Sequence, residues 1–267
     1  MGRTAIRDMF ARTKAEGRAA FLPFMTAGLP TPQESLSLFQ AMADAGADGF
    51  EVGIPYTDPL MDGPVIQRGS DTAIRAGATL DVSVSILESV ASATSRPTIA
   101  MTYVNPIFRR GVDRFCEELA AAGADALIVP DLPVDESQSL RIAAERHGLG
   151  VVLFVAPTSD AGRIEAVAAA DPVFIYAVAE MGVTGERTES GSHVEAIAER
   201  VRKVTDAPIV FGVGISNPEQ AAAAGRLADG VIVGSALVRR ALEAESVEAA
   251  CESLAVAVSE ISQALRA

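Results

Sequence analysis

The chain has 267 residues, 49% hydrophobic and only 5% aromatic, with no tryptophan and a formal net charge of −13. That charge argues against nucleic acid as a partner and gives no long-range attraction for an anionic ligand. The longest apolar run, near GVVLFVAP, falls far short of a membrane span. Cys116 and Cys251 form neither a disulfide nor a metal-ligand pattern, so a reducing, cytoplasmic setting is expected.

The first twenty residues mix charges throughout and carry no signal-peptide core. Met1-Gly2 starts a myristoylation pattern, but Ile6 stands where that pattern needs Ser or Thr. TAIRDMFARTKAE reads as an N-terminal helix. After it, short β-branched runs recur at fairly even intervals: AFLPFMTA (20–27), GFEVGIP (49–55), PTIAMTY (97–103) and ALIVP (126–130). GVVLFVA (150–156), PVFIYAV (172–178), PIVFGVG (208–214) and GVIVGS (230–235) complete a set of eight. Ala/Glu/Arg-rich segments of helical period separate them, as in DRFCEELAAAG and HVEAIAERVRKV.

Strands apolar on both faces and alternating with helices indicate a parallel sheet covered by helices. A weak internal echo, DAGADGFEVG, AAGADALIVP and GRLADGVIVG, repeats the passage from helix end to strand start. The expected fold is α/β, a single (β/α)8 TIM barrel over 1–267. The N-terminal helix would close its bottom, and a long loop/helix insertion would follow the second strand. An open doubly wound sheet is the alternative, but TAGLPTPQ after the first strand lacks the G-x-G-x-x-G spacing that such a sheet favours.

In a barrel, chemistry gathers at the C-terminal ends of the strands. FGVGISNPEQ and VIVGSALV each carry glycines at a strand end (Gly212 and Gly214; Gly234, before Ser235) and then open a helix. With GVTG (182–185), they suit a phosphate held by backbone N–H groups. The competing reading is that these glycines only turn strands into helices. Glu51 lies in an apolar run, expected toward the C-terminal half of its strand. Burial would raise its pKa into a useful proton-transfer range, unless it is a structural carboxylate bonded to a buried Arg or a neighbouring strand.

Asp58 reads as a turn or contact residue. Asp62 ends a loop that could fold over the mouth, with a turn role as the alternative. Tyr103, Asn105 and Tyr176 are pocket liners or plain packing. The two lysines, Lys14 and Lys203, fall in helical segments remote from strand ends, which makes a Schiff base implausible. His147 and His193 read as a helix-end residue and a surface residue, and neither makes a metal cluster. Carbon–carbon bond chemistry here would fall to carboxylates.

FEVGIPYTDPLMDGPVIQ, YAVAEMGVTG, FGVGISNPEQ and ADGVIVGSALV, together with FLPFMTAGLP, MTYVNP and VPDLPVDES, resemble the tryptophan synthase alpha subunit along essentially the whole chain. The resemblance implies a (β/α)8 lyase of tryptophan biosynthesis. It would cleave indole-3-glycerol phosphate to indole and glyceraldehyde 3-phosphate with no cofactor. Glu51 would be the general acid/base, and Asp62 would accept a hydrogen bond from the indole N–H. Phe24, Tyr103 and Tyr176 would flank the ring, and Gly185, Gly214, Gly234 and Ser235 would hold the phosphate. Thr184 would steady Asp62 on closure.

The resemblance also implies a pyridoxal-phosphate beta subunit as partner, in an alpha2beta2 complex contacted through the Asp58 loop. A free-standing indole-releasing lyase, or a non-catalytic regulatory subunit that binds a phosphorylated ligand, are the alternatives. The sequence departs from the family pattern at Leu29, often Asp, and at Ala179 and Glu180, often Ser and Arg. The latter pair bears on closure of the GVTG loop and on coupling to a partner.

Overall fold

Eight parallel strands pair in chain order and the last closes on the first in the computed structural model, which describes residues 2–178, 190–212 and 214–266, the side chains of 190–193 excepted. The strands are β1 (Ala20–Thr26), β2 (Phe50–Gly53), β3 (Thr98–Met101), β4 (Ala126–Ile128), β5 (Gly150–Val155), β6 (Ile175–Ala177), β7 (Ile209–Phe211) and β8 (Gly230–Val233). Each lies inside one of the eight expected runs. Because β1 pairs with both β2 and β8, the open-sheet alternative is excluded.

Parallel neighbours cannot be joined by a hairpin, so helices cross between them. They are α1 (Arg3–Ala15), α2 (Ser35–Asp44), α3 (Pro64–Arg75), α4 (Leu80–Thr94), α5 (Val104–Arg110), α6 (Val112–Ala121) and α7 (Gln138–Arg146). α8 (Ala161–Ala169), α9 (Ser190–Arg202), α10 (Pro218–Gly225), α11 (Ser235–Glu243) and α12 (Val247–Ala264) follow. The insertion after β2 holds α3 and α4, as its length required. Sequence capping is direct: Thr79, Asp160, Asn217 and Ser246 each accept a backbone N–H of the first turn that they open.

The strands are shorter than the apolar runs that contain them. Residues such as Pro130, Ala156 and Gly212 lie beyond the ladders and line the mouth. All seven residues of β1 are buried, as expected for a strand with side chains inside the barrel and under the helices. Leu29 is wholly buried, so this departure from the family pattern is a core residue.

The opposite end is closed by α1. Its Met9 and Phe10 pack on Gly49 and Gly230, at the N-terminal ends of β2 and β8, and an added Cβ at either glycine would come within 3.1 Å of them. Phe10 also meets Phe174, ahead of β6, edge to face at 5.8 Å. Beside this plug Asp48 is buried among cations. It accepts from Arg18 Nη1 at 2.6 Å and Nη2 at 2.8 Å, from Arg12 Nη2 at 2.9 Å and from the Phe21 N–H at 3.0 Å.

Burial pushes the Asp48 carboxyl up, but the Arg18 and Phe21 bonds outweigh it and hold its pKa below the ordinary 3.8. Stability from this cluster is therefore present above that value and lost as pH falls through the lower folded value. Asp48→Ala would strip the buried Arg18 guanidinium of its bidentate partner and leave it only the partly exposed Glu16 carboxylate, 2.7 Å from Nε. We expect a loss of about 3–4 kcal/mol in urea unfolding at pH 7, with the barrel mouth unchanged.

Candidate active site

The C-terminal ends of the strands surround a cavity of about 1170 Å³. Its apolar wall includes Phe24, Ile66, Met101, Leu153, Phe154 and Ile232, spread over four strands and α3. Phe24 is paired in register with Glu51, and its ring fits over Gly53, where an added Cβ would approach it to 2.5 Å. Tyr176 stacks on Phe154 with ring centroids 5.1 Å apart. The room for Tyr176 comes from Gly212: an added Cβ there would overlap its hydroxyl.

Glu51 faces this wall from within the barrel. The ladder makes it the second residue of a four-residue strand, not one of the C-terminal half as expected. It reaches the cavity because its side chain points inside the barrel, on the cavity floor. It is 4% exposed, and its Oε2 has no hydrogen-bond partner among the described residues. Among the described residues no Arg neutralises it, so the structural alternative finds no support there. Burial, with a smaller push from the nearby Asp62 charge, raises its pKa from 4.5 to about 8.

Asp62 enters from the loop between β2 and α3. Its N–H bonds the Pro59 carbonyl at 3.0 Å, and its own carbonyl accepts Gln67 Nε2 at 2.8 Å. Burial raises its pKa from 3.8 to about 6, opposed by a hydrogen bond from Tyr103. The two carboxyl groups therefore differ at neutral pH: Glu51 keeps its proton and Asp62 has lost it. Such a separation is the physical basis for assigning an acid and an acceptor within one site.

Across the cavity, Gly214, Ser216, Gly234, Ser235 and Ala236 contribute to the wall. Gly214 has φ 80°, a conformation that suits glycine. In α11 the Leu237 and Val238 N–H groups bond the Gly234 carbonyl. The amides ahead of them have no intrahelical acceptor, which makes the helix start an anion site. The atoms nearest to a Cβ on Gly234 would be those of Phe24, at an ordinary 3.5 Å. The fold itself does not demand glycine there, whereas close approach of a ligand would.

Gly212→Ala is therefore expected to displace Tyr176 and to cost about 1–3 kcal/mol in thermal or urea unfolding. Gly234→Ala should leave stability within about 0.5 kcal/mol of the parent.

Of the residues singled out in the sequence, Glu51, Asp62, Phe24, Tyr176, Gly214, Gly234 and Ser235 share this one cavity. Tyr103 does not line it. It is 2% exposed, at the turn from β3 into α5, and its hydroxyl lies behind the loop at the Met61 amide. Thr184 and Gly185, like Ala179 and Glu180, lie outside the described residues, as does the side chain of His193. Asp58 is exposed, and its carbonyl accepts the Leu60 N–H at 3.0 Å, a turn as read. His147 ends α7 with Nε2 3.2 Å from Asp113, away from the cavity. Among the described residues no cluster of three His, Cys, Asp or Glu could hold a metal ion, and no helix is long and apolar enough to cross a membrane.

Phe154, Leu153, Met101, Ile232 and Ile66 had not been singled out. Strands buried on both faces show no alternation to mark which side chains point inward.

A family model described as tryptophan synthase alpha chain matches residues 10–266. The tryptophan synthase alpha chain of Streptomyces avermitilis is 43% identical over 98% of this chain and 94% of its own length. That of a Picosynechococcus species is 45% identical over 96% and 99%. Among solved structures, Mycobacterium tuberculosis tryptophan synthase superposes with a TM-score of 0.89 at 37% identity, over 98% of each chain. The tryptophan synthase subunit alpha of Legionella pneumophila does so with 0.88 at 31%, over 99% and 98%.

Proposed function

The chain belongs to the tryptophan synthase alpha chain family, and from that membership we propose that it cleaves indole-3-glycerol phosphate to indole and glyceraldehyde 3-phosphate. The observation that carries this reading is the pair of carboxyl groups, Glu51 and Asp62, that line one apolar cavity. Glu51 holds a proton at neutral pH and acts as the general acid toward C3 of the indole ring. It then serves as the base for the side-chain hydroxyl. Asp62, ionised, accepts the indole N–H and stabilises the positive charge that develops when C3 is protonated. That cation draws electrons from the carbon–carbon bond as it breaks, and the ring returns to neutral indole.

The apolar wall suits the indole ring, with Phe24 and Tyr176 on either side of the proposed ring site. The amides near Gly214, Gly234 and Ser235 suit the phosphate, and Thr184 and Gly185 are proposed to complete the closed site. Backbone dipoles supply that attraction locally, so the net charge of −13 is no obstacle. Gly234→Ala would therefore raise KM for the phosphorylated substrate about tenfold at unchanged stability.

The proposed partner is a tryptophan synthase beta subunit that receives the indole. The loop carrying Asp58 displays Leu60 and Met61, 77% and 64% exposed, and Phe108 of α5 is 57% exposed. Uncovered apolar side chains of this size on neighbouring segments support a contact face there. An alpha2beta2 assembly follows if each alpha chain docks on a beta dimer.

The decisive experiment is a steady-state assay of indole release from indole-3-glycerol phosphate, alone and with a beta subunit. Turnover in both settings, faster in the second, is expected. No release in either would overturn the reading.

A further inference from the structure

We infer that Tyr103 is the positioning residue for Asp62: its buried phenol anchors the Met61 amide and so sets where the next side chain enters the cavity. This rests on the lyase reading above. Met61 N–H donates to Tyr103 Oη at 3.2 Å. Tyr103 caps the start of α5, two residues after β3 ends, so its backbone is mounted on the barrel wall. Its ring lies 5.5 Å from that of Tyr56, whose hydroxyl accepts Asn105 Nδ2 at 2.9 Å.

The loop has little else to hold it in register. Leu60 and Met61 are largely exposed, so apolar burial does not fix its tip. The other bonds between Thr57 and Gly63 are internal to the loop or run to α3: Leu60 N–H to Asp58, Asp62 N–H to Pro59, Gln67 to the Asp62 carbonyl and Gln67 N–H to Gly63. Among the described residues, the Tyr103 bond is the one that ties this stretch to the barrel. Once the phenol oxygen has accepted the amide, its own proton remains for the Asp62 carboxylate. The Tyr103 hydroxyl thereby favours the ionised acceptor which the reaction needs, opposing the effect of burial.

Tyr103→Phe keeps the ring and its packing and removes only the hydroxyl. In the full-length chain, kcat for indole release should fall roughly 10–100-fold, because a misplaced acceptor serves the transition state poorly. KM should stay within about twofold, since the phosphate amides lie across the cavity. The acid limb of the kcat–pH profile should move to higher pH, because Asp62 loses the donor that favours its ionised form. Wild-type kcat and acid limb in this variant would overturn the tether alone. So would a fall in kcat with an unmoved limb, the signature of a merely structural role. A wild-type chain that releases no indole would overturn both the tether and the lyase reading.

Discussion

Glu51→Gln is expected to lower kcat for indole release by roughly 10³-fold or more, within and beyond the range of a lost general acid/base. Gln is close to Glu in shape and stays in the same strand, between the registers of Phe24 and Ile99. It cannot give up a proton to the ring carbon or take one from the side-chain hydroxyl. Binding should survive, because Gly214, Gly234 and Ser235 and the apolar wall are untouched. The expected pattern is a collapsed kcat beside a near-normal Kd for a non-cleavable phosphorylated indole analogue, measured by calorimetry. A variant that retains turnover within tenfold would remove Glu51 from the proposed chemistry.

The same substitution is expected to make the protein more stable at high pH. Below 4.5, Glu51 is protonated in both folded and unfolded chains and adds no pH dependence. Between 4.5 and about 8 the unfolded chain releases this proton while the folded chain keeps it, so folding weakens as pH rises. Above 8 the folded state holds a buried carboxylate whose Oε2 has no partner among the described residues, and the loss is complete. Glu51→Gln removes the ionisation. Its advantage over the parent should therefore open from pH 4.5 upward and reach up to about 5 kcal/mol near pH 9. Urea unfolding across that range measures it, and parallel curves for the two proteins would show that Glu51 is not buried as a lone acid. The two results together describe a side chain that weakens the fold in the conditions where it can act.

Much of the fold was legible in the chain. Eight apolar β-branched runs with helical segments between them leave few architectures for 267 residues. The Asp, Asn and Gly punctuation set several helix starts. Strand length was less legible, because the apolar runs continue into the mouth after hydrogen-bonded pairing stops. That is why Glu51 was expected nearer a strand end than it is. Glu51 and Asp62 could be picked out because carboxylates are costly in an apolar strand and notable beside a Gly-Pro loop. Tyr103 was expected against the ring, for a buried tyrosine beside a strand end looks the same whether it lines a cavity or braces a loop behind it.

The sequence by itself determined the alternation of strand and helix, the carboxylates available for chemistry and the absence of lysines near strand ends, because these are local properties of residue type and spacing. Only the tertiary structure decided that Glu51 has no counter-ion among the described residues, that Asp62 titrates below it, and that Gly212 is the space into which the Tyr176 hydroxyl fits. Desolvation, like-charge repulsion and steric exclusion act between groups that the closed barrel brings together from distant parts of the chain. In FEVGIPYTDPLMDGP the chemistry is written in the residues, but the protonation that makes it usable belongs to the barrel.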